Sequence, residues 1–156
     1  MDHPTYPPLD IVPYWSRLND ALIQLVDLVP DEQINWSPKP ELWNFRGILL
    51  HIAGSRDYWM GRIVQDGDPA PSAYETARSK EEIKREYLRT WERLQRFLSK
   101  AGKVGATYED VWYGEPQRLS GHWIAYHLLE HDVHHRADLL HYLALLGIEH
   151  PEVGTP

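Results

Sequence analysis

Apolar side chains in this chain recur at intervals of three and four residues over long stretches. An α-helix gathers that period onto one face and a strand does not. Between residues 9 and 29 the set is Ile11, Trp15, Leu18, Leu22, Leu25 and Val29. Pro13 falls in the first turn, where a missing N–H is tolerated, and Pro30 stops the segment. A second set, Phe45, Ile48, Ile52, Tyr58, Trp59 and Ile63, follows Asn44, a residue suited to cap a helix start. The third, Ile83, Tyr87, Leu88, Trp91, Leu94 and Leu98, follows Ser79 with Glu81 and Glu82 in the first turn, and Gly102 closes it. The fourth runs from Ser120 to Gly147. Four long helical stretches joined by sizeable connectors predict an all-α fold, a four-helix bundle. A short hairpin is compatible with the aromatic, glycine-bearing connector 103–119. The sequence does not order the helices around the core.

The 156 residues suit one domain over 1–156, with a loose tail over about 148–156. Disorder is excluded by a hydrophobic content of 42% against 25% charged residues. No apolar run reaches the length of a membrane span. The start, Met1-Asp2-His3-Pro4, has neither the basic nor the apolar part of a signal peptide, so a cytoplasmic location is expected. A net charge of −7, with Glu interleaved among the Lys and Arg of 78–103, argues against nucleic-acid binding.

Cysteine is absent and histidine abundant, at nine residues. Disulfides, thiolate ligands and a cysteine nucleophile are therefore excluded. His127, His131 and His135 are spaced by four. Each such step turns about 40° and rises about 6 Å along a helix, so the three rings line one side. Ile124 and Leu128 lie beside the row, which turns it inward. An i, i+4 pair of imidazoles can chelate one metal, whereas unpartnered buried rings would be costly. His51, in phase with Ile48, Ser55 and Tyr58 on the second stretch, is the natural distant ligand. The motifs His-Glu-x-x-His and Glu-x-x-His, a phosphate-binding glycine loop and a nucleophile elbow are all missing.

The segments Leu49-Leu50-His51-Ile52-Ala53, Tyr58-Trp59, and His127-Leu128-Leu129-Glu130-His131-Asp132-Val133-His134-His135-Arg136 resemble the DinB-like (YfiT-like) superfamily of metal-dependent four-helix-bundle enzymes. So do residues 28–36 and the closing Leu143-Ala144-Leu145-Leu146-Gly147. The resemblance implies one divalent transition metal (zinc, nickel, iron or similar) held by His51, His131 and His135. Where the family motif continues with Gly-Gln, this chain has Ala137 and Asp138. Asp138, one turn along the ligand row, is a candidate to hold a ligand imidazole from behind or else a solvated charge. His127 is a candidate for supporting a ligand or touching substrate. His134 is one for the pocket rim or a subunit interface, and Arg136 is expected to pair with a local carboxylate.

Characterised relatives of such proteins use low-molecular-weight thiols such as bacillithiol and mycothiol. The resemblance therefore implies a transferase that joins a thiol co-substrate to an electrophilic small molecule. Metal-dependent hydrolysis, with Glu130 or Asp132 as base, is the second reading. A non-catalytic, stress-associated metal-binding protein is the third. The many aromatics further suggest a homodimer, with Trp59 or Trp112 on an exposed apolar patch.

Overall fold

The structure, a computed structural model, describes residues 10–112 and 114–150. Its long helices are α1 (Val12–Leu28), α2 (Phe45–Tyr58), α4 (Lys80–Leu98) and α6 (Gly121–Leu145). Single turns, α3 (Ala73–Thr76) and α5 (Ala101–Val104), sit in the connectors, with a 3₁₀ turn at Asp31–Gln33. Strands β1 (Thr107–Trp112) and β2 (Glu115–Ser120) pair antiparallel, with Thr107 opposite Ser120 and Trp112 opposite Glu115. Gly114, at φ 82°, makes the turn between them, a conformation that costs glycine little.

The helix limits follow local chemistry. Asn44 caps α2 by accepting the Gly47 N–H at 2.8 Å. Ser79 and Glu82 form a reciprocal capping box at the start of α4. Ser120 caps α6 by accepting the Trp123 N–H at 3.1 Å. Beyond α6, Gly147 N–H reaches Ala144 O at 3.0 Å and Ile148 N–H reaches Leu143 O at 3.0 Å. That pair of bonds is the Schellman closure, with Gly147 left-handed at φ 70°. Ile148 is thus tied to the helix end and packs on the core. Residues 151–156, like His3, lie outside the described residues.

α1 packs on α4 and α6, and α2 packs on the same two helices. The order around the bundle is therefore α1, α4, α2, α6, which puts α1 and α2 on a diagonal. The α1–α2 connector spans that diagonal. Trp15, Leu18, Leu22 and Leu25 of α1, Ile48 and Ile52 of α2, Ile83, Tyr87 and Leu94 of α4, and Ile124, Leu128, Leu139 and Leu143 of α6 fill the centre. Each fully buried aliphatic side chain contributes about 1.5–3 kcal/mol.

The second helix does not run straight to Val64. It widens into a π turn over Trp59–Ile63, where Val64 N–H bonds to Trp59 O at 2.9 Å, five residues back. That turn leaves Trp59, Met60 and Ile63 inside. Trp59 is buried among Trp123 and His127 rather than on an exposed patch, which removes it as an interface residue. The side chain of Trp112 lies outside the described residues. Among the described residues, no helix is long and apolar enough to cross a membrane.

Candidate metal centre

His51 stands midway along α2, and His131 and His135 stand one turn apart on α6, the helix against which α2 packs. The three rings meet with centroids 4.6 Å (His51–His131), 4.8 Å (His51–His135) and 4.6 Å (His131–His135) apart. One nitrogen from each lies within 4.8 Å of the others. His51 Nε2 and His131 Nε2 face each other at 2.8 Å. Two imidazole nitrogens at that distance need a proton or a cation between them, because two lone pairs repel.

The other edges of two of these rings are anchored. His51 Nδ1 lies 2.6 Å from the Tyr74 hydroxyl, and His135 Nδ1 donates to Asp138 Oδ2 at 3.0 Å. Among the described residues, His131 Nδ1 and Asp132 Oδ1 are buried without hydrogen-bond partners and lie 3.8 Å apart. Burial, followed by the neighbouring His131 and His135 rings, lowers the His51 pKa to about 4. His135 is also lowered, by burial first and then by His131, with Asp138 opposing. Neutral imidazoles are the form that ligates a metal. Three imidazoles mutually within one ion's reach fit a divalent transition metal of the zinc, nickel or iron kind.

The positions expected to surround the site divide. His127 belongs to the same helical row, but its ring is 6.4 Å from that of His131. It stacks on Trp123 at 4.8 Å and 8° instead, and it packs against Trp59. Burial, then His131, lowers its pKa, with Glu130 opposing. His134 is largely exposed, its Nε2 3.9 Å from Asp138. Arg136 enters no ion pair among the described residues, and its Nε is buried without a partner. The carboxylate one turn before it, Asp132, is taken by another arginine. Glu130 lies exposed on the outer side of α6.

Asp132 is not placed to serve as a base. Its Oδ2 accepts from Arg56 Nη2 at 2.6 Å, Arg56 Nε at 3.2 Å and Trp15 Nε1 at 2.8 Å, with Arg56 and Asp132 both at 0% exposure. Arg56 also donates to Asn19 Oδ1 at 2.7 Å and lies over the Tyr87 and Trp91 rings. Burial alone would raise the Asp132 carboxyl. The Arg56 charge, the nearby His131 ring and the Trp15 N–H outweigh it and hold the carboxyl below its ordinary value.

Sequence reasoning missed two aromatic residues at the site. Trp43, in the loop before α2, lies edge-on to His51 at 4.5 Å and over His135 at 6.1 Å while remaining 52% exposed. Its backbone is pinned by the Tyr142 hydroxyl, which donates to Trp43 O at 3.0 Å. Tyr74 comes from α3, which Asp57 of α2 fastens by accepting the Ala73 N–H at 3.1 Å. Asp57 is itself held by Arg89 and Arg93 of α4. The Tyr74 ring crosses α2 at Gly54, where a Cβ would lie 2.2 Å from Tyr74 Cε2. A glycine inside a helix costs about 1 kcal/mol relative to alanine, and that local misfit was the one readable signal of the crossing.

Two clefts open beside the histidines. One, about 380 Å³, is lined by His51, Ser55, Tyr58, Trp59, Tyr74 and His127 among others. The other, about 410 Å³, is lined by Glu41, Leu42, Trp43, His135, Asp138 and Tyr142 among others.

The depressed imidazoles carry a consequence for metal-free protein. The unfolded chain takes up protons near pH 6.5, the ordinary histidine value, while folded His51 refuses them until about pH 4. Stability is therefore complete above pH 6.5 and falls as pH drops through that window. Urea midpoints of chelator-treated protein should decline from pH 7 to pH 4, and His51→Gln should flatten the slope. An equal slope in the variant would contradict this assignment.

Residues 14–139 match the family model described as the DinB superfamily. The fold is similar to that of a DinB-like protein from Bacillus subtilis, with a TM-score of 0.68 at 16% identity over 93% of this chain and 95% of that one. A DinB-like protein from Bacillus cereus is similar at a TM-score of 0.65 and 18% identity, over 92% of this chain and 95% of that one. At such identities the likeness speaks to the fold. No curated protein matches the chain.

Proposed function

We propose that this chain, which belongs to the DinB superfamily, binds one divalent transition metal through His51, His131 and His135 and transfers a low-molecular-weight thiol to an electrophilic small molecule. The observation that carries the metal assignment is the convergence of three ring nitrogens, with two of the rings held from behind by Tyr74 and Asp138. An ion bound there would lower the pKa of a coordinated thiol and make thiolate available at neutral pH. With no cysteine in the chain, the thiol would be a co-substrate.

The chain's own residues would supply position and cover. Tyr74 and Asp138 fix two ring orientations, and Trp43 lies across His51 and His135. The two clefts meet the histidines from different sides, which suits a reaction of two small molecules. Hydrolysis is the weaker reading, because the acids considered as its base are badly placed: Glu130 is exposed and Asp132 is locked to Arg56.

Cobalt-loaded protein titrated with bacillithiol, mycothiol and other cellular thiols tests the proposal. A sulfur-to-cobalt charge-transfer band should appear with the right thiol and be absent in His51→Ala. Thiolate should form well below a free thiol's pKa of about 8.5. Turnover with thiols acting only as inhibitors would favour hydrolysis. Metal binding with neither thiol response nor turnover would favour a non-catalytic metal-binding role.

A further inference from the structure

Asp132 and His131 bring two buried polar atoms to within 3.8 Å of each other. Asp132 Oδ2 takes all the hydrogen bonds from Arg56 and Trp15, and among the described residues Oδ1 is left with none. His131 Nδ1, 3.8 Å away, is equally without a partner. An unmet buried polar group is costly, and two facing ones of complementary kind mark an interaction only slightly out of reach. We propose that Asp132 is the positioning residue of His131: Oδ1 accepts the Nδ1–H of His131, which fixes the tautomer whose Nε2 lone pair faces His51 and His135. The purpose of that tautomer rests on the metal reading above, but the hydrogen bond itself does not.

The direction of the bond follows from charge. Asp132 carries its carboxylate in a fully buried setting opposite Arg56. Were Nδ1 of His131 the bare nitrogen, its lone pair would lie 3.8 Å from that buried carboxylate. A proton on Nδ1 turns the repulsion into attraction. The rest of the line then orders itself in metal-free protein. His131 Nε2 accepts, so His51 Nε2 donates to it across 2.8 Å, and the Tyr74 hydroxyl donates to His51 Nδ1 across 2.6 Å. The opposite order would run every donor toward Tyr74 and leave Asp132 Oδ1 without a donor.

The pattern also completes the site. His51 has Tyr74 behind it and His135 has Asp138. With Asp132, every ring of the triad has an oxygen at its Nδ1 and its Nε2 free to converge. Such partners behind a ligand imidazole are worth about 10–100-fold in metal affinity. A buried ion pair in a bundle core is often no more stabilising than apolar residues of the same volume. A role in holding His131 gives the Arg56–Asp132 pair a reason to be there.

Long-range ¹H–¹⁵N correlation spectra of metal-free wild-type protein near neutral pH test this without any variant at Asp132. The His131 signals are identified by their loss in His131→Gln. His131 should be protonated at Nδ1 and His51 at Nε2. A His131 ring protonated at Nε2, or one averaging between tautomers, would overturn the proposal. Zn²⁺ affinity by competition with a chromophoric chelator gives the second readout. Asp132→Asn that keeps its helical circular dichroism should bind Zn²⁺ about 10–100-fold more weakly. Equal affinity in wild type and Asp132→Asn would also overturn it. Nδ1 protonation in a wild-type protein that takes up no Zn²⁺ would support the positioning bond and sink the metal reading instead.

Discussion

Replacing Arg56 alone by Met will destabilise the fold by about 3–5 kcal/mol, a large part of the roughly 5–15 kcal/mol that holds a domain of this kind together. The guanidinium is fully buried between α1, α2, α4 and α6 and serves Asp132, Asn19 and Thr90. Met fills much of its volume but leaves the Asp132 carboxylate buried without a counter-charge. The effect should come from that orphaned charge rather than from lost packing against Tyr87 and Trp91. The double variant Arg56→Met/Asp132→Leu separates the two causes. It removes both charges and leaves neutral orphans at Trp15 Nε1, His131 Nδ1 and Asn19 Oδ1, the last of them orphaned in the single variant as well, and a neutral orphan costs less than a bare buried charge. Urea denaturation should therefore place the double variant closer to wild type than the single one. A single variant within about 1 kcal/mol of wild type would show that water or relaxation reaches this carboxylate.

That network was the least legible part of the chain. The helical stretches could be read because their period, caps and stop signals are local. Ser79 with Glu82, Ser120 and Gly147 sit at the ends they mark. The arrangement of α1, α4, α2 and α6 could not be read, because connectors of this length permit several orders. The hairpin was only weakly signalled, and nothing in Tyr58-Trp59-Met60 announced a π turn.

The histidines show both sides of the same limit. The inward row and the distant His51 could be seen from spacing, but the row has three members and one partner ring cannot meet them all. Over the row the helix turns by about 40° for every four residues, so His127 drifts away from the pair that faces α2. It ends against Trp59 and Trp123. Asp132, next in sequence to His131, is turned about 100° from it and points into the core. Reading it as a mobile base required ignoring a cation 76 positions away that no local pattern reveals. Tyr74 and Trp43 reach the site from a single helical turn and a loop, where periodicity says nothing.

The largest functional effect should come from His131→Ala. His131 is the ring common to the whole assembly: its Nε2 is 2.8 Å from His51, its centroid is 4.6 Å from that of His135, and Ser55 Oγ is 3.4 Å away. Zinc bound by a full set of protein donors gains upwards of about 10 kcal/mol, so losing one of three imidazoles should cost about 3 kcal/mol or more, a factor of at least about 100 in affinity. The helical circular dichroism should hardly change, because alanine favours the helix and the ring lies at the edge of the core. His127→Ala is the discriminating control. It lies in the same row and shares the histidine chemistry, yet the geometry gives it no nitrogen in the convergent set. Its affinity should stay within about threefold of wild type, well short of the tenfold that 1.4 kcal/mol represents. Both variants are best compared as untagged protein, since a histidine tag would load metal of its own. Undiminished stoichiometric binding in His131→Ala would remove the three-histidine assignment and point instead to His134, His135 and Asp138, whose potential ligand atoms also lie within 4.8 Å of one another. A loss in His127→Ala as deep as that in His131→Ala would place the ion one turn nearer the start of α6, between Trp123 and His131, and not where His135 and Asp138 now meet.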